Sequence, residues 1–129
     1  MQTAFERPYK PVELTASTLE AFDVRALAQQ LMTEDPFTEH GRNGLTLALG
    51  DHLTMVLTVA KTGKMALENH PPGPVILVVL WGALSLTPQD GQPTVSLGDS
   101  QFAAFAPDVV HTVEIHADCA FLTIIGGKL

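Results

Sequence analysis

Three side chains in this sequence have types and positions suited to metal ligation: Glu68, His70 and His111. Glu68 and His70 are two apart, so a strand would point both to the same face. His111 lies far downstream. Each histidine follows a Gly-led segment and sits in a stretch rich in Pro, Gly or Asp. The first runs from Gly63 to His70 and into Pro71-Pro72-Gly73-Pro74; the second runs from Gly98 through Pro107-Asp108 to His111. Two imidazoles and a carboxylate are the donors of a facial triad with open positions. That set suits non-haem Fe(II), Mn or Ni, and Zn takes the same donors. The remaining titratable groups point elsewhere. His116 is an odd number of residues from His111, so an inward His111 sends it outward. His40 falls in the loop Glu39-His40-Gly41, and His52 follows the turn Gly50-Asp51. Cys119 has Asp118 and Glu114 for company; acidic neighbours disfavour the thiolate a nucleophile needs. No Ser-His-Asp order, Gly-rich phosphate loop or H-E-x-x-H segment is present.

The bulk of the chain narrows the classes. A length of 129 residues fits one domain, long enough to bury a core without staples. The formal net charge is −7, and the seven Lys+Arg form no stripe, so no nucleic-acid partner is expected. The longest apolar run, Val75 to Trp81, is too short to span a bilayer, so no membrane partner is expected either. The opening residues show no secretory apolar run. A lone cysteine, Cys119, fits a reducing compartment. A cytoplasmic location is the expectation.

The elements that must position these side chains are mostly short strands. Residues 1–43 should form an arm, interrupted by Pro8 and Pro11, followed by one helix over 17–33. Ser17-Thr18-Leu19-Glu20 has capping-box spacing, and Asp23 is a second candidate N-cap. Leu19, Phe22, Ala26, Leu27 and Leu31 line one apolar face, and Pro36 should stop the helix. From Leu45 the period changes to two. Runs at 45–49, 53–60, 65–68, 75–81, 83–87, 94–97, 101–106, 110–115 and 120–125 are separated by turn residues. Residues 44–129 should therefore form an antiparallel sandwich or barrel. Val75–Trp81 is apolar on both faces and needs cover on both sides.

The order and spacing of the two histidine segments resemble the half-motifs of the cupins. The first half-motif is written G(X)5HXH(X)3,4E(X)6G. Counted back from Gly82, its glutamate falls on Val75, its second histidine on His70 and its first on Glu68; Gly63 lies one residue from the glycine position. The second is written G(X)5PXG(X)2H(X)3N. Counted from His111, its glycine falls on Asp108 and its asparagine on Ile115, with Pro107 beside the proline position. The resemblance is to small single-domain cupins of unassigned function. It implies an all-β fold, a cupin-type antiparallel β-barrel (double-stranded β-helix, or jelly roll), here preceded by a short α-helix. It also implies that His70 and His111 converge at one end of the barrel, and that copies pair through their sheets as a homodimer.

Inward-facing Val75, Leu77, Val79 and Trp81, with His111, Val113 and Ile115, would make an apolar cavity with polar groups at its rim. Thr112, Glu114 and His116 would form an outer polar face. Such a cavity suits a small, mostly apolar ligand. The favoured reading is a small-molecule binding barrel with weak or no metal. The alternative is a metal-dependent enzyme, of dioxygenase or isomerase type, using His70, His111 and Glu68 with Fe, Mn, Ni or Zn. A third reading gives the barrel a role in self-association.

Overall fold

A computed structural model of the chain describes residues 12–15, 17–67, 73–89, 91–107 and 111–127, with backbone alone over 64–67. The elements in order are β1 (Val12–Glu13), α1 (Val24–Leu31), α2 (Asp35–His40), β2 (Arg42–Leu49), β3 (Thr54–Ala60), β4 (Gly63–Leu67), β5 (Val75–Pro88), β6 (Val95–Leu97), β7 (Phe102–Phe105) and β8 (His111–Ile125). The strands run β1-β2-β3-β8-β5-β6, with β4 on β8 and β7 on β5. Apart from the parallel β1–β2 pair, the pairings are antiparallel.

Two long strands hold the barrel together. β8 pairs with β4 over His111–Ile115 and with β3 over Cys119–Ile125. β5 takes β7 along Val75–Val78 and β6 along Leu84–Leu86. The two long strands also pair with each other along their length. Both therefore pass from one layer of the roll to the other, and their bends bring the layers face to face. The bend in β5 is a chain of register shifts between Val79 and Leu84 that includes Gly82 at φ +100°, a conformation that side chains with a Cβ avoid. Sequence reading divides this segment into two strands at Gly82, and the following one at Ala117-Asp118. Both points are bends within continuous strands.

The shifts also change which side chains face inward. Val75, Leu77 and Val79 are inward before the bend; Leu84 and Leu86 are inward after it. They meet Val113, Ile115, Cys119 and Phe121 of β8, with Ala60 and Leu97 completing the interior. Trp81, expected inward with Val79, instead packs on the helix side with Leu80, because the bulge interrupts the alternation.

A second cluster lies on the outer face of β2 and β3. Leu45, Leu47, Leu57, Val59 and Ala120 pack against Ala28 and Leu31 of α1 and Phe37 of α2. Fully burying a Leu or Phe side chain stabilises by about 1.5–3 kcal/mol relative to leaving it exposed, so this seam fixes the helices to the sheet. The helical region departs from the sequence expectation of one helix over 17–33. α1 begins after Asp23, whose side chain accepts from the Ala26 N–H at 3.1 Å. Leu19 is 95% exposed, so extending the helix back to Ser17 would bury nothing there. Pro36 opens α2 where it was expected to end a helix. Its missing N–H costs nothing in a first turn, and left-handed Gly41 closes the helix after His40.

Candidate functional site

His111 is the first residue of β8, paired across to Leu67 of β4 and Pro88 of β5. Strand alternation buries His111, Val113 and Ile115 and exposes Thr112, Glu114 and His116, as the sequence pattern implies. The His111 side chain is 6% exposed. Its ring meets Phe105 edge-on, with centroids 4.5 Å apart and planes at 74°, a favoured aromatic geometry. Phe105 lies opposite Val75 in the β5–β7 register. Val75 is itself buried, at the position where the half-motif spacing puts a carboxylate. The imidazole thus sits beside the packed interior cluster of Leu77, Val79, Leu84, Leu86, Val113 and Phe121. An imidazole can both donate and accept a hydrogen bond, so it can orient a ligand whose body is held by hydrocarbon.

Glu68 and His70 lie outside the described residues. The strand that leads into them, β4, ends at Leu67 directly opposite His111. Among the described residues, no group of three His, Cys, Asp or Glu side chains could hold a metal ion. Of the expected donors, only His111 is within the described part, and position 75 brings a methyl surface in place of a hard-cation ligand. The described donors therefore do not by themselves make a metal site.

The other candidates fall where their neighbours dictate. His116 lies on the outer face with its Nε2 2.9 Å from the Ser85 hydroxyl. His40 ends α2, and His52 is exposed in the turn after β2. Cys119 is fully buried in the interior; burial, reinforced by Asp118, pushes its thiol up to about 12. A thiol that resists ionisation is no nucleophile at neutral pH. Sequence reading missed two features. Phe102 and Phe105 lie in one predicted strand, yet their odd spacing sends them to opposite faces, and Phe102 is 60% exposed. The Ser85–His116 bond carries no local signal, because it joins residues 31 apart across the β5–β8 pair.

No family model matches the sequence, and no curated protein matches it. The fold does find counterparts among solved structures. An RmlC-like cupin protein from Desulfovibrio desulfuricans superposes with a TM-score of 0.60 at 16% identity, over 88% of this chain and 95% of that one. A protein from Bacillus halodurans gives 0.66 at 18%, over 88% and 85%. A tryptophan-to-tyrosine variant of the oxalate decarboxylase from Bacillus subtilis gives 0.60 at 13%, over 68% of this chain and 26% of that much longer one. At these identities the likeness is one of fold. The chain has the cupin β-barrel fold, as its half-motif spacing implies. Among the described residues, no helix is long and apolar enough to cross a membrane.

Proposed function

We propose that this cupin-type barrel binds a small, mostly apolar molecule in its interior, with His111 as the polar contact that orients it, and with weak or no metal. The observation that supports the reading is one buried imidazole beside an all-hydrocarbon interior cluster, with Phe105 against it and buried Val75 at the position the half-motif spacing gives to a carboxylate. Pockets of this make-up use apolar walls for affinity and one or two polar groups for orientation. The lone buried thiol of Cys119 suits a reducing, cytoplasmic setting.

The alternative reading is a metal-dependent enzyme, of dioxygenase or isomerase type, in which Glu68 and His70 join His111. It is favoured by the likeness of fold to an oxalate decarboxylase and by the end of β4 lying opposite His111. One experiment separates the two. Titration calorimetry with Zn, Ni, Mn and Fe(II) near neutral pH should show weak binding or none. An apolar fragment set, followed by amide shifts, should perturb Phe105, His111 and Val113, and His111→Ala should weaken that binding. Tight stoichiometric metal uptake that disappears in His111→Ala would overturn the metal-poor reading. Fragment shifts that avoid these three residues would overturn the interior site.

A further inference from the structure

One buried side chain ties the helices to the sheet through hydrogen bonds. Asn43 of β2 is 6% exposed, and its amide nitrogen donates to the Leu31 carbonyl at 3.0 Å and to Glu34 Oε1 at 2.8 Å. Leu31 ends α1, and Glu34 is the N-cap of α2. Glu34 is itself buried, and its Oε2 accepts from Gln30 Nε2 at 3.3 Å. The anchor depends on an NH2 group, which supplies two donors to two acceptors. Removing a buried partner of this kind costs about 1–3 kcal/mol.

Asn43 is one of two asparagines in the chain, and the one followed by glycine. The fold does not require that glycine. Gly44 has no left-handed φ. A Cβ there would sit 3.6 Å from the Leu57 carbonyl oxygen and 3.9 Å from Thr58 Oγ1, which are ordinary contacts. A glycine inside a strand weakens it. Its effect here is to leave the Gly44 amide nitrogen without a side chain to shield it. That N–H donates to Asn43 Oδ1 at 2.9 Å. With a carbonyl bond of about 1.2 Å, Asn43 Cγ stands within about 4 Å of the Gly44 nitrogen.

We propose that Asn43-Gly44 is a deamidation site whose product releases α1 and α2 from the sheet. The Gly44 nitrogen loses its proton and attacks Asn43 Cγ. A Cγ–N bond forms, the Cγ–Nδ2 bond breaks, and Nδ2 takes a proton and leaves as ammonia. Water then opens the five-membered imide at either carbonyl, leaving aspartate or isoaspartate. The sum consumes one water and releases one ammonia, with no oxidation or reduction. In the folded chain the bonds to Leu31, Glu34 and Gly44 hold both reacting groups in place. Cyclisation therefore waits on local opening of the seam in which Leu45, Leu47, Leu57 and Val59 meet Ala28, Leu31 and Phe37. The reaction then prevents the seam from closing as before. A carboxylate in place of the NH2 has no donor for the Leu31 carbonyl and meets the Glu34 carboxyl. Two carboxylates sharing a buried site repel.

The test ages the intact chain in mildly alkaline buffer and follows ammonia release, with peptide mapping and isoaspartate labelling to place the change. Conversion should appear at position 43, and Gly44→Ala should slow it without unfolding the chain. Leu31→Ala, which thins the seam, should speed conversion at least ~tenfold, since such truncations cost several kcal/mol. Asn43→Asp makes one product directly. Hydrogen exchange at the Ala28 and Leu31 amides should rise at least ~tenfold in it, the scale of one lost buried bond, while Val113 and Ile115 stay protected. The aged parent chain, separated by charge from the unaged, gives the same readout without relying on how that variant folds. An unconverted Asn43 after the time in which the urea-unfolded chain converts fully would overturn the site. Equal rates in the parent and Leu31→Ala would overturn control by the seam. Helix amides that stay as protected in the aged chain as in the fresh one would overturn the release.

Discussion

Gly82 and Gly91 both have positive φ, at +100° and +85°, but only one is crowded. A Cβ at Gly82 would stand 2.3 Å from Cys119 Cβ, 2.6 Å from the Asp118 carbonyl oxygen and 2.6 Å from Cys119 Cα. A Cβ at Gly91 would meet nothing within 4 Å. Replacing Gly91 by Ala therefore costs only the left-handed strain, about 1–2 kcal/mol. Gly82→Ala carries the same strain and must also push β5 off β8 at the bend. Two of its three clashes are with backbone, which cannot rotate away. Overpacking of that kind adds about 1–3 kcal/mol, giving a total of roughly 2–5 kcal/mol for Gly82→Ala. Widening the bend would also pull on the Gly82 N–H, which donates to Asp99 Oδ1 at 2.8 Å. Urea unfolding followed by circular dichroism would measure both variants against the parent. The midpoint should fall for each, and roughly 1.5 to 4 times as far for Gly82→Ala, with m unchanged. Equal losses would show that the close approach of β5 to β8 is not what fixes a glycine at position 82.

Cys119 should be silent toward a thiol reagent at pH 8 in the folded protein and should react at once in urea. Its thiol is pushed up to about 12 from an ordinary value of 9.0, so between those values the unfolded chain holds fewer protons than the folded one. This contribution is intact below 9.0 and is lost as pH rises towards 12, at up to about 1.4 kcal/mol per pH unit. Cys119→Ala should flatten the alkaline slope of stability, and an unchanged slope would refute the assignment. We also propose that two copies pair through the outer face of β5, β7 and β8. Val78 lies beside Phe102 and Leu122, and Ile76 beside Ala104 and Ile124. The helices pack over β2 and β3, and this stretch is uncharged in a chain of net charge −7. Two copies can meet there without pressing carboxylates together. Light scattering should give about twice the 13.8 kDa chain mass, and Phe102→Glu should halve it; a parent mass near 13.8 kDa at high concentration would refute pairing.

The barrel was legible because its strands alternate and its breaks carry Gly, Pro or Asp. The helical boundaries were less so. Ser17 to Glu20 has capping-box spacing, yet the cap that forms is at Asp23, where the following turn can place Ala28 and Leu31 against the sheet. Spacing marks where a helix can start; the apolar surface it must cover decides where it does. Pro36 shows the same limit: the residue that blocks one helix is well suited to the first turn of the next.

The candidate site was legible as far as strand parity can be counted. Alternation is a reliable guide only until a bulge resets it. On β8 the inward residues stay in one parity from His111 through Val113 and Ile115 to Cys119 and Phe121. His111 could therefore be read as inward from the pattern alone. On β5 the parity changes between Val79 and Leu84, and the forecast failed at Trp81, just beyond the first shift. A local signal cannot tell a bulge from a turn, because both are made by glycine with positive φ. What distinguishes them here is the partner: β8 continues past Gly82, and Asp99 holds the Gly82 N–H. Those contacts come from residues distant in sequence. Side chains before a bend can be assigned to a face by counting, whereas those gathered across strands need the pairing itself.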